Sequence, residues 1–459
     1  MKPGIRDRSV AMLRDPELQQ NLHHALQHSL QRRADLVAAN PRWPLLRERA
    51  AAIRDEALNT LPALQDALIA RMQERGVTVH LARDAAQARS LCLGILTARG
   101  VRHVVKGKSM VSEEIALNPA LEAQGIEVLE ADLGELIVQL AGQAPSHITA
   151  PALHLNRRQV GRLFVEHLGI AYTEDPVELT GHARRFLRQK FLTAEAGITG
   201  GNFVVVDSGS LVLVENESNI RLATSLPPLH IAITGIEKLV PRLHDLAVLL
   251  ELLPVSATGQ KMPAAVSLLG GPRQTGETDG PREVHWILVD NGRMRLLSDP
   301  QLRSTLRCIR CGACLNVCPV FQRLGGHGFG SVYPGPIGVM LSRALLGDSD
   351  SAHAFACALC GACDEICPVQ VPLTRGILEI RRRCQQAAGP SVESLGHAAF
   401  ATLATRPRLF ETLATLGRPL LAHWPSSWSG PWGGRFSDLR ALPRPRGAGL
   451  RSRLRGRHK

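Results

Sequence analysis

A chain of 459 residues is long enough for two or three domains, each with a core of its own. Apolar residues make up 44%, the ordinary share for a globular protein, and no apolar run approaches the roughly 18 residues that a membrane-spanning helix needs. The net charge of +13 invites a nucleic-acid reading, but Arg435–Lys459 holds nine Lys/Arg against one acid, Asp438, leaving an excess of about five elsewhere; a nucleic-acid role is therefore not expected.

The opening MKPGIRDRSVAMLRDP lacks the apolar stretch of a secretory signal, which predicts a cytoplasmic protein. Residues 1–72 read as a helical segment, with apolar positions at helical spacing in LPALQDALIARMQERG. From residue 73 the pattern changes: VTVHLA, a helical run, VRHVVKG, a helix entered at Ser112, then GIEVLEAD. This β-α-β-α-β order predicts a parallel sheet covered by helices. After helices over about 155–195, FVVVDSGSLVLVE gives two strands around the turn Asp207-Ser208-Gly209. HIAITGIEKLV reads as a strand running into a helix, and EVHWILVDNGR as a last strand ending at Asn291-Gly292. An α/β domain over 73–293 is expected, then a cysteine-rich helical domain over 295–385, a helical extension over 386–434 and a basic tail over 435–459 without fixed structure.

Eight of the ten cysteines fall between Cys308 and Cys367, in two runs of identical spacing. Cys308, Cys311, Cys314 and Cys318-Pro319 form the first; Cys357, Cys360, Cys363 and Cys367-Pro368 form the second. This C-x2-C-x2-C-x3-C-P pattern holds [4Fe–4S] clusters, with the fourth cysteine of each run serving the other cluster. Two clusters are expected: one on Cys308, Cys311, Cys314 and Cys367, the other on Cys357, Cys360, Cys363 and Cys318. Small residues in the loops, Gly312-Ala313 and Gly361-Ala362, let backbone approach the sulfides. Structural zinc is the alternative, but zinc takes two separated pairs rather than a triple with a remote Cys-Pro. Thirty-eight residues lie between Cys318 and Cys357, including the helical PIGVMLSRALLGD, so the domain resembles the all-helical two-cluster ferredoxins of redox complexes. Cys92, on LCLGIL, reads as a small buried hydrophobe, and Cys384 is not expected to serve as a spare cluster ligand.

Further segments carry a family resemblance: VVKGKSMVSEEI, DLGELIVQLAGQAPSHITAPALH, GITGGNFVVVDSGSLVLVENESNIRL, PPLHIAITGIEKLVP, GPREVHWILVDNGR and YPGPIG, in order with the cysteine runs over roughly 45–430. Together they resemble the lactate utilization protein B family, iron–sulfur subunits of a bacterial L-lactate oxidation complex. The resemblance implies an N-terminal α/β domain similar to sugar-phosphate isomerases and CoA transferases. It implies conversion of L-lactate to pyruvate together with two partners, a CCG-motif redox subunit and a second lactate-utilization-domain subunit.

No catalytic residue is fixed by the sequence. Lys106 after VRHVV and Glu215 after SLVLV follow strand ends, where ligands sit in open α/β sheets. Glu215 or Glu217 would suit a base, and Lys106 or Arg221 a carboxylate anchor; Lys108, Ser109, Glu135, His147, His154, Asn216 and Asn219 lie in the same blocks. The same residues also suit a fold that has lost its chemistry, and the sequence leans to that structural role. His230 reads as a packed core residue, and no G-x-G-x-x-G run follows a strand, so dinucleotide binding is not expected. The resulting expectation is an electron-transfer subunit of an oxidoreductase complex that does not use a nicotinamide. Its rivals are the same carrier serving glycolate or another 2-hydroxy acid, an isomerase- or transferase-like enzyme with structural clusters, and a regulator binding RNA through the tail. The tail also suits contact with anionic surfaces.

Overall fold

The computed structural model describes residues 4–345, 352–389 and 392–422. The basic tail and the end of the expected helical extension lie outside the described residues. The chain divides into two compact units at Arg383/Cys384, so the α/β region and the cysteine-rich region share the first unit. In the second unit, helices span Val392–Ala404 and Pro407–Ala422. Among the described residues no helix is long and apolar enough to cross a membrane.

Ten strands build two sheets in the first unit: β1 (Thr78–Ala82), β2 (His103–Lys106), β3 (Glu127–Glu130), β4 (Ala196–Thr199), β5 (Phe203–Val205), β6 (Ser210–Glu215), β7 (Leu229–Gly235), β8 (Leu239–Val240), β9 (Ala265–Leu269) and β10 (Glu283–Val289). The larger sheet runs β1-β10-β7-β4-β2-β3, and all its pairings are parallel. Strands of a parallel sheet are buried on both faces, which is why β7, LHIAITG, carries no exposed residue. Alternate residues serve opposite cores. Ile231, Ile287 and Val289 face one side with Cys92, Leu96 and Leu121 of the covering helices. Ala232, Trp286 and Leu288 face the other with Leu61, Leu68 and Met72 of the Leu61–Glu74 helix. Each of the Leu, Ile, Val and Met side chains among these contributes about 1.5–3 kcal/mol by leaving water.

The second sheet, β8-β5-β6-β9, joins that second core through Val204, Leu211 and Leu213. Its β5–β6 hairpin turns where Asp207-Ser208-Gly209 predicts it. Three local expectations change. The strand β4 in the middle of the large sheet reads poorly from Ala-Gly-Ile-Thr, because one glycine and four residues give no periodicity. Past β7 the chain makes a single 3-10 turn, Ile236–Lys238, and the short β8 before any helix begins at Leu243. The helix expected to start at Ser112 starts at Met110, capped by Ser109, whose hydroxyl accepts the Ser112 N–H at 3.2 Å.

Four N-terminal helices span Ile5–Arg14, Pro16–Ala38, Trp43–Asn59 and Leu61–Glu74. They are a structural part of the first unit. Arg33 donates to the Ile366 carbonyl at 3.1 Å and Arg47 to the Cys367 carbonyl at 3.0 Å. Arg54, 1% exposed, donates to the carbonyls of Leu239 (2.9 Å) and Leu306 (3.2 Å).

Candidate functional site: the cysteine loops and the adjoining pocket

The two cysteine runs share one backbone form. Arg310 and Leu359, two residues after the first cysteine, hold φ of 61° and 54°; Gly312 and Gly361 follow at 76° and 82°. Left-handed residues turn the chain sharply enough for three thiols to face inward. The same turn aims N–H groups at sulfur: Arg310 N–H donates to Cys308 Sγ at 3.4 Å, and Leu359 N–H to Cys357 Sγ at 3.3 Å. Val371 N–H donates to Cys367 Sγ at 3.3 Å. The glycines have unequal reasons to be small. A Cβ on Gly361 would enter open space, whereas one on Gly312 would stand 2.9 Å from His147 Cε1. The neighbour that demands glycine in the first loop is thus a histidine of the α/β region.

Cys367 of the second run lines one apolar cavity with Cys308, Cys311 and Cys314 of the first, among Ile309, Ile337 and Val371. Cys318 in turn interacts electrostatically with Cys357 and Cys360, and Cys363 with Cys357 and Cys318. The fourth cysteines are therefore exchanged in space. Burial pushes the thiols of Cys311 and Cys363 up to about 12 and that of Cys367 to about 11, with neighbouring cysteines adding repulsion. Four thiolates do not coexist in such a cavity without cations among them. Four sulfur donors around a small apolar void, with N–H groups directed at them, fit an iron–sulfur cluster. The first group is the more enclosed; in the second, Cys360 is exposed.

Beside the first group lies a buried ion network. Glu237 Oε1 accepts from Arg310 Nη2 at 3.0 Å, and its other oxygen pairs with Arg293. Arg293 also pairs with Glu114 at 2.8 Å, and the Tyr333 hydroxyl donates to Glu114 at 2.7 Å. Burial works against the Glu237 carboxylate, but Arg293, Arg310 and Lys238 outweigh it and hold its pKa at about 2. Lys238, 5% exposed, moves the opposite way: burial and Arg310 lower it to about 7. Arginines 54, 293 and 310 exceed the two glutamates, Glu114 and Glu237, in charge.

A pocket of about 280 Å³ opens where β2, β4, β6 and β7 end. Such strand ends are where α/β sheets bind ligands. Lys108, Glu215, Glu217, Asn219 and Lys238 line it, together with Ile309 and Arg310 of the cysteine loop. Of the four candidate residues, Glu215 and Glu217 reach this pocket, while Lys106 and Arg221 do not line it. Lys106 is fully buried, with Nζ 2.7 Å from Glu130 and 3.4 Å from Glu113. Burial opposes its charge, but those carboxylates outweigh it and raise its pKa. Such a side chain holds structure together and has no open face for a substrate. Arg221 projects from the helix Asn219–Ser225 with its side chain 59% exposed, 3.9 Å from Glu215. Of the other residues in those blocks, Ser109 and Asn216 also line the pocket. Glu135 lies behind Lys108 as its ion-pair partner at 3.2 Å, and His154 pairs with Gln143 at 2.7 Å. His230 bonds Thr199 at 2.8 Å in the core, and Cys92 is fully buried. Lys238, Arg310 and Arg54 escaped the sequence reading, since their importance comes from burial between distant segments.

Two cysteine runs of this form, the first enclosed beside an α/β pocket, define an iron–sulfur protein with an electron-transfer role. Residues 66–289 match the LUD domain family and residues 304–371 the 4Fe-4S dicluster domain family. The chain is 40% identical to lactate utilization protein B of Shouchella clausii over 91% of its length and 89% of that protein's. It is 45% identical to lactate utilization protein B of Macrococcus caseolyticus, covering 80% of this chain and 78% of that one. Against the uncharacterized electron transport protein YkgF of Escherichia coli it is 40% identical, over 82% and 80% respectively. The chain belongs to the lactate utilization protein B family.

Proposed function

We propose that this protein is the electron-transfer subunit of a cytoplasmic complex that oxidises L-lactate to pyruvate, relaying electrons through two [4Fe–4S] clusters. Cys308, Cys311, Cys314 and Cys367 hold the first cluster; Cys357, Cys360, Cys363 and Cys318 hold the second. The observation that carries this reading is the place of Cys367 in one cavity with Cys308, Cys311 and Cys314; it supports an exchange of fourth ligands, which would couple the two clusters. Exposure of Cys360 supports the second cluster as the exchange point with a partner. The names of the relatives support lactate as the fuel. The partners are a CCG-motif redox subunit and a second lactate-utilization-domain subunit. When bound, the clusters supply one-electron storage; the chain's own part is to hold them, direct N–H groups at their thiolates and keep water from the first of them.

Reconstitution tests the relay. The protein alone should not turn over L-lactate with an artificial acceptor, although dithionite reduces its clusters. Adding the two partners should restore turnover, and Cys311→Ala should abolish it while the subunits still associate. Lactate turnover by the chain alone would overturn the relay.

A further inference from the structure

The second compact unit carries an apolar helix face with nothing packed over it. Its helices Val392–Ala404 and Pro407–Ala422 adjoin each other, yet no residue between Ser394 and Pro419 is buried. Leu409, Leu413 and Leu416 recur at helical spacing, so they share one face of the second helix, and each is more than 40% exposed. Phe410 flanks them, and Leu395 and Phe400 stand exposed on the first helix. Arg408, Glu411, Thr415 and Arg418 follow the opposite face of the second. Helices of this length are marginal alone in water, and an amphipathic one takes its stability from what its apolar face packs against.

Charge says what kind of partner fits. Arg406–Lys459 holds twelve Lys/Arg against two acids, Glu411 and Asp438, so most of the net charge of +13 belongs to this end of the chain. Three of the five tryptophans, Trp424, Trp428 and Trp432, fall in the same stretch of sequence. The partner must be apolar where the leucines meet it and anionic around them. Nucleic acid answers the charge and leaves the leucine face bare. A second copy covers the leucines but brings the same positive charge against itself. A bilayer of anionic lipid offers an acyl interior for leucine and phenylalanine, an interface that tryptophan favours and headgroups that attract arginine.

We propose that the second unit is a peripheral membrane anchor. The helix Pro407–Ala422 lies in the plane of an anionic bilayer surface, with Leu409, Leu413 and Leu416 turned into the acyl boundary, and the basic chain end meets the lipid phosphates. The anchor stands apart from the electron-transfer reading, and neither needs the other.

Cosedimentation of the anaerobically purified full chain with lipid vesicles tests this. Binding is expected to vesicles of phosphatidylcholine mixed with phosphatidylglycerol, and at least about 10-fold weaker binding to phosphatidylcholine alone. Added salt should weaken the first by screening the arginines. Leu413→Gln combined with Leu416→Gln leaves every charge in place and should weaken binding to the anionic vesicles by about 10-fold or more. Iron content shows whether the rest of that variant is intact; if it is not, Leu409→Gln alone carries the test, with an expected loss of about 3-fold or more. No binding to the anionic vesicles, equal binding to both kinds, or full binding by an intact variant overturns the proposal. A wild-type dimer that the glutamine substitutions dissociate, with vesicle binding unchanged, would assign the leucine face to a second copy and overturn it as well.

Discussion

The Arg310 guanidinium donates to Glu237 Oε1 at 3.0 Å while the backbone N–H of the same arginine donates to Cys308 Sγ at 3.4 Å. One residue thereby ties the ion network of the α/β region to the first cysteine loop. Its left-handed backbone, φ 61°, is held by those partners and by the Tyr333 ring, 5.3 Å from the guanidinium carbon.

Glu237→Gln removes the negative charge facing Arg293 and Arg310. Breaking a buried pair of this kind costs about 3–5 kcal/mol. The acid dependence follows from the sign of the shift. The folded pKa of about 2 lies below the ordinary glutamate value of about 4.3, so the stabilisation is fully present above that value and is lost as pH falls toward 2. Melting curves of wild type and Glu237→Gln should therefore converge across this window. A gap that stays constant with pH would show that Glu237 does not carry it.

Anaerobically purified protein should contain about eight irons and eight sulfides per chain. Cys318→Ser should damage the cluster of Cys357, Cys360 and Cys363, and Cys367→Ser that of Cys308, Cys311 and Cys314. Paramagnetic resonance reads the outcome; loss of the cluster belonging to each cysteine's own run would refute the exchange. Stripping the iron should lower the melting temperature, since buried thiols lose the cations that hold them together.

The two loop glycines should respond unequally. Alanine at either position meets a left-handed backbone, at about 1–2 kcal/mol. Gly312→Ala additionally drives a methyl to 2.9 Å from His147 Cε1, so it should lose more iron and stability than Gly361→Ala. Iron content and melting of the two variants decide the matter, and equal losses would contradict the close approach of His147.

Lys106→Ala should act on stability. It strands Glu130 inside the protein, at about 3–5 kcal/mol. Turnover in the reconstituted complex, corrected for folded protein, should change little. A fall of 10²-fold or more, of the kind about expected for a general acid or base, would return Lys106 to the chemistry.

The cysteine runs were legible because cluster binding is written in local spacing, the strands β7 and β10 because two-sided burial demands apolar runs, and β1, β2 and β3 because short β-type runs there alternate with helical ones. Glu215 was legible for its position past a strand end, and the same rule misled at Lys106. Strand ends there look alike in sequence, and only the presence of Glu113 and Glu130 around the amine distinguishes a structural lysine from a binding one. Lys238 stands inside GIEKLV, which reads as the start of a helix; its place beside Arg310 depends on a segment 72 residues further along the chain.

Arg47 and Arg54 grip carbonyls of Cys367 and Leu306, partners more than 250 residues away in sequence. A ribosome therefore releases the first helices long before the groups they close upon exist. Arg54 finds its acceptors once Leu306 has emerged, but Arg47 waits for the second cysteine run, and contacts of such long range form slowly. Closure of the first cysteine group thus waits for the second run: a nascent chain stopped ahead of Cys367 would hold three cysteines of that group with the closing arm still loose.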